Sequence, residues 1–125
     1  MTVKLSEVIK AGGRGVIATS DSKGVVNTAI YAQPHIIDNE TLAWGMTEGR
    51  SFHNISENPY AAYLYMNPGA GFSGVRIGLK RKEIEKTGDM LDLVRKNTAE
   101  KVSPEAASAV KYVVYFTVTE VRPLI

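Results

Sequence analysis

Residues 15–32 read GVIATSDSKGVVNTAIYA, and their pattern decides the class of fold. Gly15–Ser20 (GVIATS) has the small, β-branched composition of a strand. Asp21-Ser22-Lys23-Gly24 is a turn, with Gly24 free to take a positive φ. Val25–Ala32 then alternates bulk at Val26, Thr28 and Ile30, a period of two. Strand, short turn and strand predict an antiparallel hairpin.

Working outward, the same punctuation recurs along the chain. On the N-terminal side, Leu5, Val8 and Ile9 recur at helical spacing until Gly12-Gly13 stops that short helix. On the other side, Pro34 interrupts the extended run, and Asp38-Asn39 turns the chain before a strand at Thr41–Gly45. Ser51–Asn58 is a short helix with Phe52 and Ile55 on one face, ending before Pro59. Tyr60–Met66 is an aromatic-rich strand, turned by Asn67-Pro68-Gly69. Phe72 opens a long extended stretch in which Val75, Ile77 and Leu79 share a side. Ile84 lies an odd number of positions beyond Leu79, so the facing flips and a bulge or bend is expected. Asp89 is the expected N-cap of a helix running to Lys101, with Met90, Leu91, Leu93 and Val94 as its apolar stripe. Ser103-Pro104-Glu105 starts another helix, and Tyr112–Val121 is the last strand. Six strands with short helices, and no alternation of strand with long helix, predict a mainly β, closed or half-closed antiparallel sheet in one domain spanning residues 1–125.

Bulk properties narrow the function classes. Cysteine is absent, which excludes a disulfide framework and thiolate chemistry and fits a reducing cytoplasm. Fifteen Lys and Arg against thirteen Asp and Glu leave a net charge of +2, too mild to imply nucleic acid or an anionic membrane. No apolar run approaches a membrane span, and the N-terminus does not resemble a signal peptide.

Several motifs invite a chemical reading. Gly69–Gly74 spells G-x-G-x-x-G, but it leads into alternating strand residues instead of opening a helix, so a glycine-rich hairpin is expected. Lys80-Arg81-Lys82 is followed by Glu83, Glu85 and Lys86, the mixed charge of solvated strand residues. His35 and His53 have no second ligand at metal spacing, so no metal site is expected. The strongest signal is the passage from Trp44-Gly45 through Met46-Thr47-Glu48-Gly49 to Arg50-Ser51. It places a guanidinium, a hydroxyl and unpaired backbone N–H groups at one helix N-terminus, a set that suits a phosphate. An ordinary solvent-facing Arg with an N-capping Ser is the equally weighted alternative from these residues alone.

Gly15–Thr19 (GVIAT), Val26-Asn27-Thr28 and Thr41–Pro59 (TLAWGMTEGRSFHNISENP) together resemble the FMN-binding split-barrel superfamily of pyridoxamine 5′-phosphate oxidase. Within it they are most similar to the branch of small FMN-binding proteins from sulfate-reducing bacteria. The resemblance implies a six-stranded antiparallel split barrel that binds flavin mononucleotide (FMN) in a groove between the subunits of a homodimer. By position it implies that Asn27, Thr28 and Ala29 lie along the flavin. Trp44, Gly45, Met46 and Thr47 would border the ring and ribityl chain, and Arg50 and Ser51 would hold the phosphate, with Asn54 behind them. The partner's Tyr65-Met66 region or C-terminal Pro123-Leu124-Ile125 would cover the ring. Gly45 and Gly49 would leave the loop open.

The chain lacks the longer basic C-terminal extension with which the oxidase grips its substrate, which argues against vitamin B6 oxidation. The expected activity is that of an FMN-dependent oxidoreductase or flavin reductase on a small acceptor, with no catalytic acid or base assigned. A non-enzymatic flavin carrier or store is the alternative. A barrel binding single-stranded nucleic acid through Lys80–Lys86 is a remote one, and no nucleic-acid or membrane partner is expected. Sister families of the same fold take deazaflavin or haem.

Overall fold

A computed structural model describes residues 3–125. In chain order the elements are α1 (Leu5–Val8), β1 (Arg14–Ser20), β2 (Val26–Tyr31), β3 (His35–Asp38), β4 (Thr41–Met46), α2 (Arg50–Glu57), β5 (Tyr60–Met66), β6 (Gly74–Glu85), α3 (Asp89–Lys101), α4 (Pro104–Ala109) and β7 (Tyr112–Pro123). The strands form one sheet in the order β2-β1-β5-β6-β7-β4-β3, each pairing antiparallel. Among the described residues no helix is long and apolar enough to cross a membrane.

Among the described residues there are seven strands, not the six expected. The extra one is β3. Pro34 fixes its own φ and has no N–H to donate, so it ends the run that pairs with β1 at Tyr31. The chain resumes at the opposite edge of the sheet, where His35 pairs with Ala43 and Ile36 with Leu42. The change of facing between Leu79 and Ile84 is a pair of irregularities in the β6–β7 register, at Gly78/Leu79 and at Arg81/Glu83. The Gly69–Gly74 segment is a hairpin connection, closed by the Asn67 N–H donating to the Ser73 carbonyl at 2.9 Å.

Two of the helix starts differ in kind. Ser103 caps α4, its hydroxyl accepting from the Ala106 N–H at 3.0 Å. For α3 the N-cap is Gly88, not Asp89, with a φ of 124° that favours glycine. Asp89 and Asp92 lie in the first turn, where their charge complements the helix dipole. Arg81 also departs from expectation. It is not a solvated strand residue: its guanidinium donates to the Ile55 and Ser56 carbonyls at 2.6 and 3.3 Å, closing the C-terminal end of α2.

Strand β4 is buried on both faces. Leu42, Trp44 and Met46 enter the main core with Ile17, Tyr63, Tyr65, Ile77, Leu79 and Phe116. Ala43 turns the other way, into a second cluster made by Leu91 and Val94 of α3 with Val110 and Val113. Gly45 is close-packed here and does not open the loop: a Cβ on it would overlap Val94 and crowd Val110. On β7, Val113 is fully buried and Tyr115 packs beside it.

The two sheet edges, β2 and β3, are joined through side chains. The Ala32 carbonyl between them accepts from the Trp44 indole at 2.8 Å and from the Tyr63 hydroxyl at 3.0 Å. Tyr63 also reaches the Tyr31 carbonyl at 3.2 Å, and its ring lies 4.7 Å from that of Trp44. Gly15 makes room for this phenol, because a Cβ there would overlap its ring and hydroxyl. Tyr63→Phe is expected to destabilise the fold by about 1–2 kcal/mol through the lost hydrogen bonds. Gly15→Ala is expected to cost more, about 3 kcal/mol, since it overpacks the same point against a buried phenol held by its hydrogen bonds. Urea unfolding at matched protein concentration measures both; a neutral Gly15→Ala would show that the phenol is free to move.

Candidate functional site

The turn Thr47–Gly49 carries β4 into α2, and Gly49 is the helix N-cap with extended backbone. Having no side chain, Gly49 leaves the first-turn N–H groups of α2 without the cap that Ser, Thr, Asp or Asn would supply. Arg50 follows at the first helical position and is exposed, and among the described residues it forms no ion pair. A Cβ on Gly49 would meet only the Thr47 hydroxyl, at 3.5 Å, so the approach to this end is open. The arrangement offers a fixed cation, unpartnered amides and the positive end of the helix dipole to one anion.

The helix is held in place at three points. Asn54 is buried, and its amide donates to the Thr19 hydroxyl of β1 at 3.1 Å. Glu57 accepts from the Ser22 hydroxyl in the β1–β2 turn at 2.7 Å, and Arg81 holds the C-terminal carbonyls. Asn54 is therefore a strut beneath the helix end. Ser51 is buried as well, beside the Tyr31 hydroxyl of β2. Burial raises the pKa of that phenol, and hydrogen bonding with Ser51 lowers it part of the way back. Ser51 thus faces Tyr31, leaving Arg50 as the exposed polar side chain of the pair.

The remaining expected site residues divide between faces and cavities. Asn27 and Ala29 share with Tyr31 the inner face of β2, while Thr28 points to the outer face beside Ala18, its cross-strand partner. Thr47 is exposed at the mouth of the site. Met46 is almost fully buried in the core, and its carbonyl accepts from the Lys111 N–H at 3.0 Å. Trp44 and Gly45 open instead on a separate cavity of about 460 Å³ beneath α3, together with Tyr31 and His35. Tyr65 is wholly buried, its hydroxyl donating to the Lys10 carbonyl at 2.6 Å, so it is not free to cover a ligand; Met66 and Ile125 are exposed.

Three residues at the site, Glu48, Phe52 and Tyr112, are given no role there by the sequence. Phe52 stacks on Tyr112 with ring centroids 3.8 Å apart and planes 4° from parallel. The Tyr112 hydroxyl approaches Glu48 at 3.4 Å. Partial burial, reinforced by the Glu48 charge, raises the pKa of that hydroxyl. Phe52 reads as an ordinary core-facing helix residue until β7 is brought beside α2. Among the described residues there is no group of three His, Asp or Glu side chains able to hold a metal ion.

No family model matches the chain, and no curated protein does. Solved structures do. An FMN-binding protein from Syntrophomonas wolfei superposes with a TM-score of 0.78 at 16% identity, covering 89% of this chain and 76% of its own. Group A Streptococcus HupZ gives 0.77 at 20% identity, covering 96% and 90%. A protein assigned as a pyridoxamine 5′-phosphate oxidase from Listeria innocua gives 0.67 at 15% identity, covering 89% and 87%. An F420 reductase and the heme storage protein HutZ from Vibrio cholerae share the architecture too. Antiparallel order, flanking helices and these superpositions agree: the chain has the fold of the FMN-binding split-barrel superfamily.

Proposed function

We propose that this chain is a flavoprotein that binds FMN between the subunits of a homodimer and acts as an oxidoreductase or flavin reductase on a small acceptor. The observation that carries the reading is the N-terminal end of α2, uncapped by any side chain and headed by the exposed Arg50. A phosphate monoester carries about −1.5 to −2 charges at neutral pH. A charge-assisted bond from Arg50 would contribute about 1.5–3 kcal/mol and the helix dipole about 0.3–1, so the arginine dominates. Structures of the same fold described as an FMN-binding protein and as a flavin reductase support the choice of ligand.

The isoalloxazine, when bound, supplies the electron-transfer chemistry. This chain's residues would do the holding. Arg50 and the first-turn amides of α2 would anchor the phosphate, and Thr19–Asn54 would keep that helix end fixed against β1. The inner-face residues Asn27 and Ala29, with Thr47 at the mouth, would border the remainder of the cofactor. No side chain is assigned a proton-transfer role.

The dimer reading rests on the outer face of β2-β1-β5-β6-β7. Two cross-strand rows run over it, Ile30–Val16–Leu64–Arg76–Arg122 and Thr28–Ala18–Ala62–Gly78–Glu120. The first is apolar through Leu64 and the second small through Gly78. Val26 and Ile30 are each 76% exposed, an unusual amount of bare aliphatic surface on one short strand. Thr28, set apart from Asn27 by the pleat, would then face the partner.

FMN-reconstituted protein is expected to show shifted, structured flavin absorption and to quench FMN fluorescence; a colourless protein that leaves added FMN unquenched would refute the assignment. Arg50→Ala is expected to weaken FMN by about 10- to 150-fold while leaving riboflavin, which lacks the phosphate, nearly unchanged. Lys82→Ala should alter neither ligand. Equal losses for both flavins would mean that Arg50 supports the fold or the ring. Ala18→Arg, at the centre of the outer face, is expected to give monomers by light scattering and to weaken FMN. Steady-state turnover of reduced nicotinamide against quinones separates an enzyme from a carrier.

A further inference from the structure

The cavity beneath α3 shares Trp44 and Tyr31 with the strands that lead to the α2 site but contains none of Thr47, Arg50, Ser51 or Asn54. Its volume is about 460 Å³. That is large beside the roughly 150 Å³ apolar cavity that accommodates benzene. Pro34, Trp44, Val94 and Val110 give it apolar lining. Its polar lining includes Gln33, His35, Asn97 and Lys101. No carboxylate lines it.

The charge balance of these polar residues is specific. His35 is held below its ordinary pKa by burial and then by the nearby Lys101, so at neutral pH the imidazole is uncharged and Lys101 supplies one positive charge. Asn97, Thr98 and Lys101 belong to the last turns of α3, where the helix dipole disfavours an anion by about 2- to 5-fold. A charge-assisted hydrogen bond favours one by about 10- to 150-fold, so Lys101 outweighs the dipole for a single negative charge. Among the described lining residues there is no second cation to match a dianion. The Thr98 hydroxyl is committed to the Val94 carbonyl at 2.8 Å, leaving Asn97, His35 and Lys101 to receive a ligand.

We propose that this cavity is a second binding site, for a small organic monoanion: a carboxylate on a one- or two-ring apolar body, the carboxylate held by Lys101, Asn97 and His35 and the body against Trp44. It goes beyond the flavin reading and does not depend on it, because neither Arg50 nor the first turn of α2 takes part.

Trp44 is the only tryptophan in the chain, so its fluorescence reports from the cavity wall. The test is calorimetric titration of the full chain as purified with benzoate, 2-naphthoate and indole-3-acetate, each against its uncharged carboxamide, with Trp44 emission followed in parallel. At least one carboxylate should bind once per chain, perturb Trp44, and exceed its amide by 10-fold or more. Lys101→Met, at an exposed position, should bring acid and amide to within about 3-fold while the thermal midpoint stays put. Ala11→Phe, filling the cavity from its rim, should remove both. Arg50→Ala should change none of this, which separates failure here from failure of the flavin site. Absence of saturable binding by all three acids, equal affinity for acid and amide, or an unchanged preference in Lys101→Met would each overturn the proposal.

Discussion

The carbonyl of Ala32 is the point on which the rest of the molecule closes. A sheet with free edges at β2 and β3 would leave its inner face partly wet, and no strand pairing joins those edges. The Trp44 indole and Tyr63 phenol converge on this one acceptor from β4 and β5, two strands far apart in the sheet order. A carbonyl oxygen has two lone pairs, and both are used. Burial raises the pKa of the Tyr63 hydroxyl well above its ordinary value, so the donor keeps its proton across the physiological range. The aromatic pair also packs in the main core, with Phe116 edge-on to Trp44 at 5.6 Å.

That closure divides the surroundings of β2 into two chemical environments. On one side Tyr31 reaches Ser51 and the foot of α2, whose free end looks outward with Arg50. On the other the chain passes through Gln33 and Pro34 to His35, under the last turns of α3. Each environment has its own cation and neither places a carboxylate opposite it as an ion pair; the ion pair found, Glu120 with Arg122, lies on the outer face. The other strongly shifted phenol, Tyr115, is raised to about 12 by burial and by its hydrogen bond to Glu85, and it belongs to the packing under α3.

Much of the fold was legible because its signals are local. The Asp21–Gly24 turn, the Ser103-Pro104 helix start and the run of Val75, Ile77 and Leu79 each state their conformation within a few residues. The flip before Ile84 was legible too, since a period of two admits no odd spacing without a bulge. Three features were not. Strand β3 is four residues long and exists because Pro34 sends the chain to another edge. Gly45 reads as looseness in a loop, whereas its neighbours Val94 and Val110 come from α3 and the turn before β7, dozens of residues away. Arg81 reads as one charge in a solvated run until the C-terminal carbonyls of α2 arrive beside it.

The candidate sites follow the same division. The sequence alone determined that a strand passes through a short loop into a helix headed by Arg50-Ser51, because these residues are contiguous and a helix N-terminus leaves its amides unpaired by geometry itself; that Gly49, and not Ser51, is the N-cap came from the structure. Tertiary structure decided which of the neighbouring side chains belong to it. The pleat of β2 separates Thr28 from Asn27 and Ala29, and burial turns Ser51 and Asn54 inward to Tyr31 and Thr19. It alone assembled the second cavity, since His35 and Lys101 are 66 positions apart and line one space only once β3 and α3 are brought together. Backbone donors are a property of local conformation, but the company a side chain keeps is set by long-range packing.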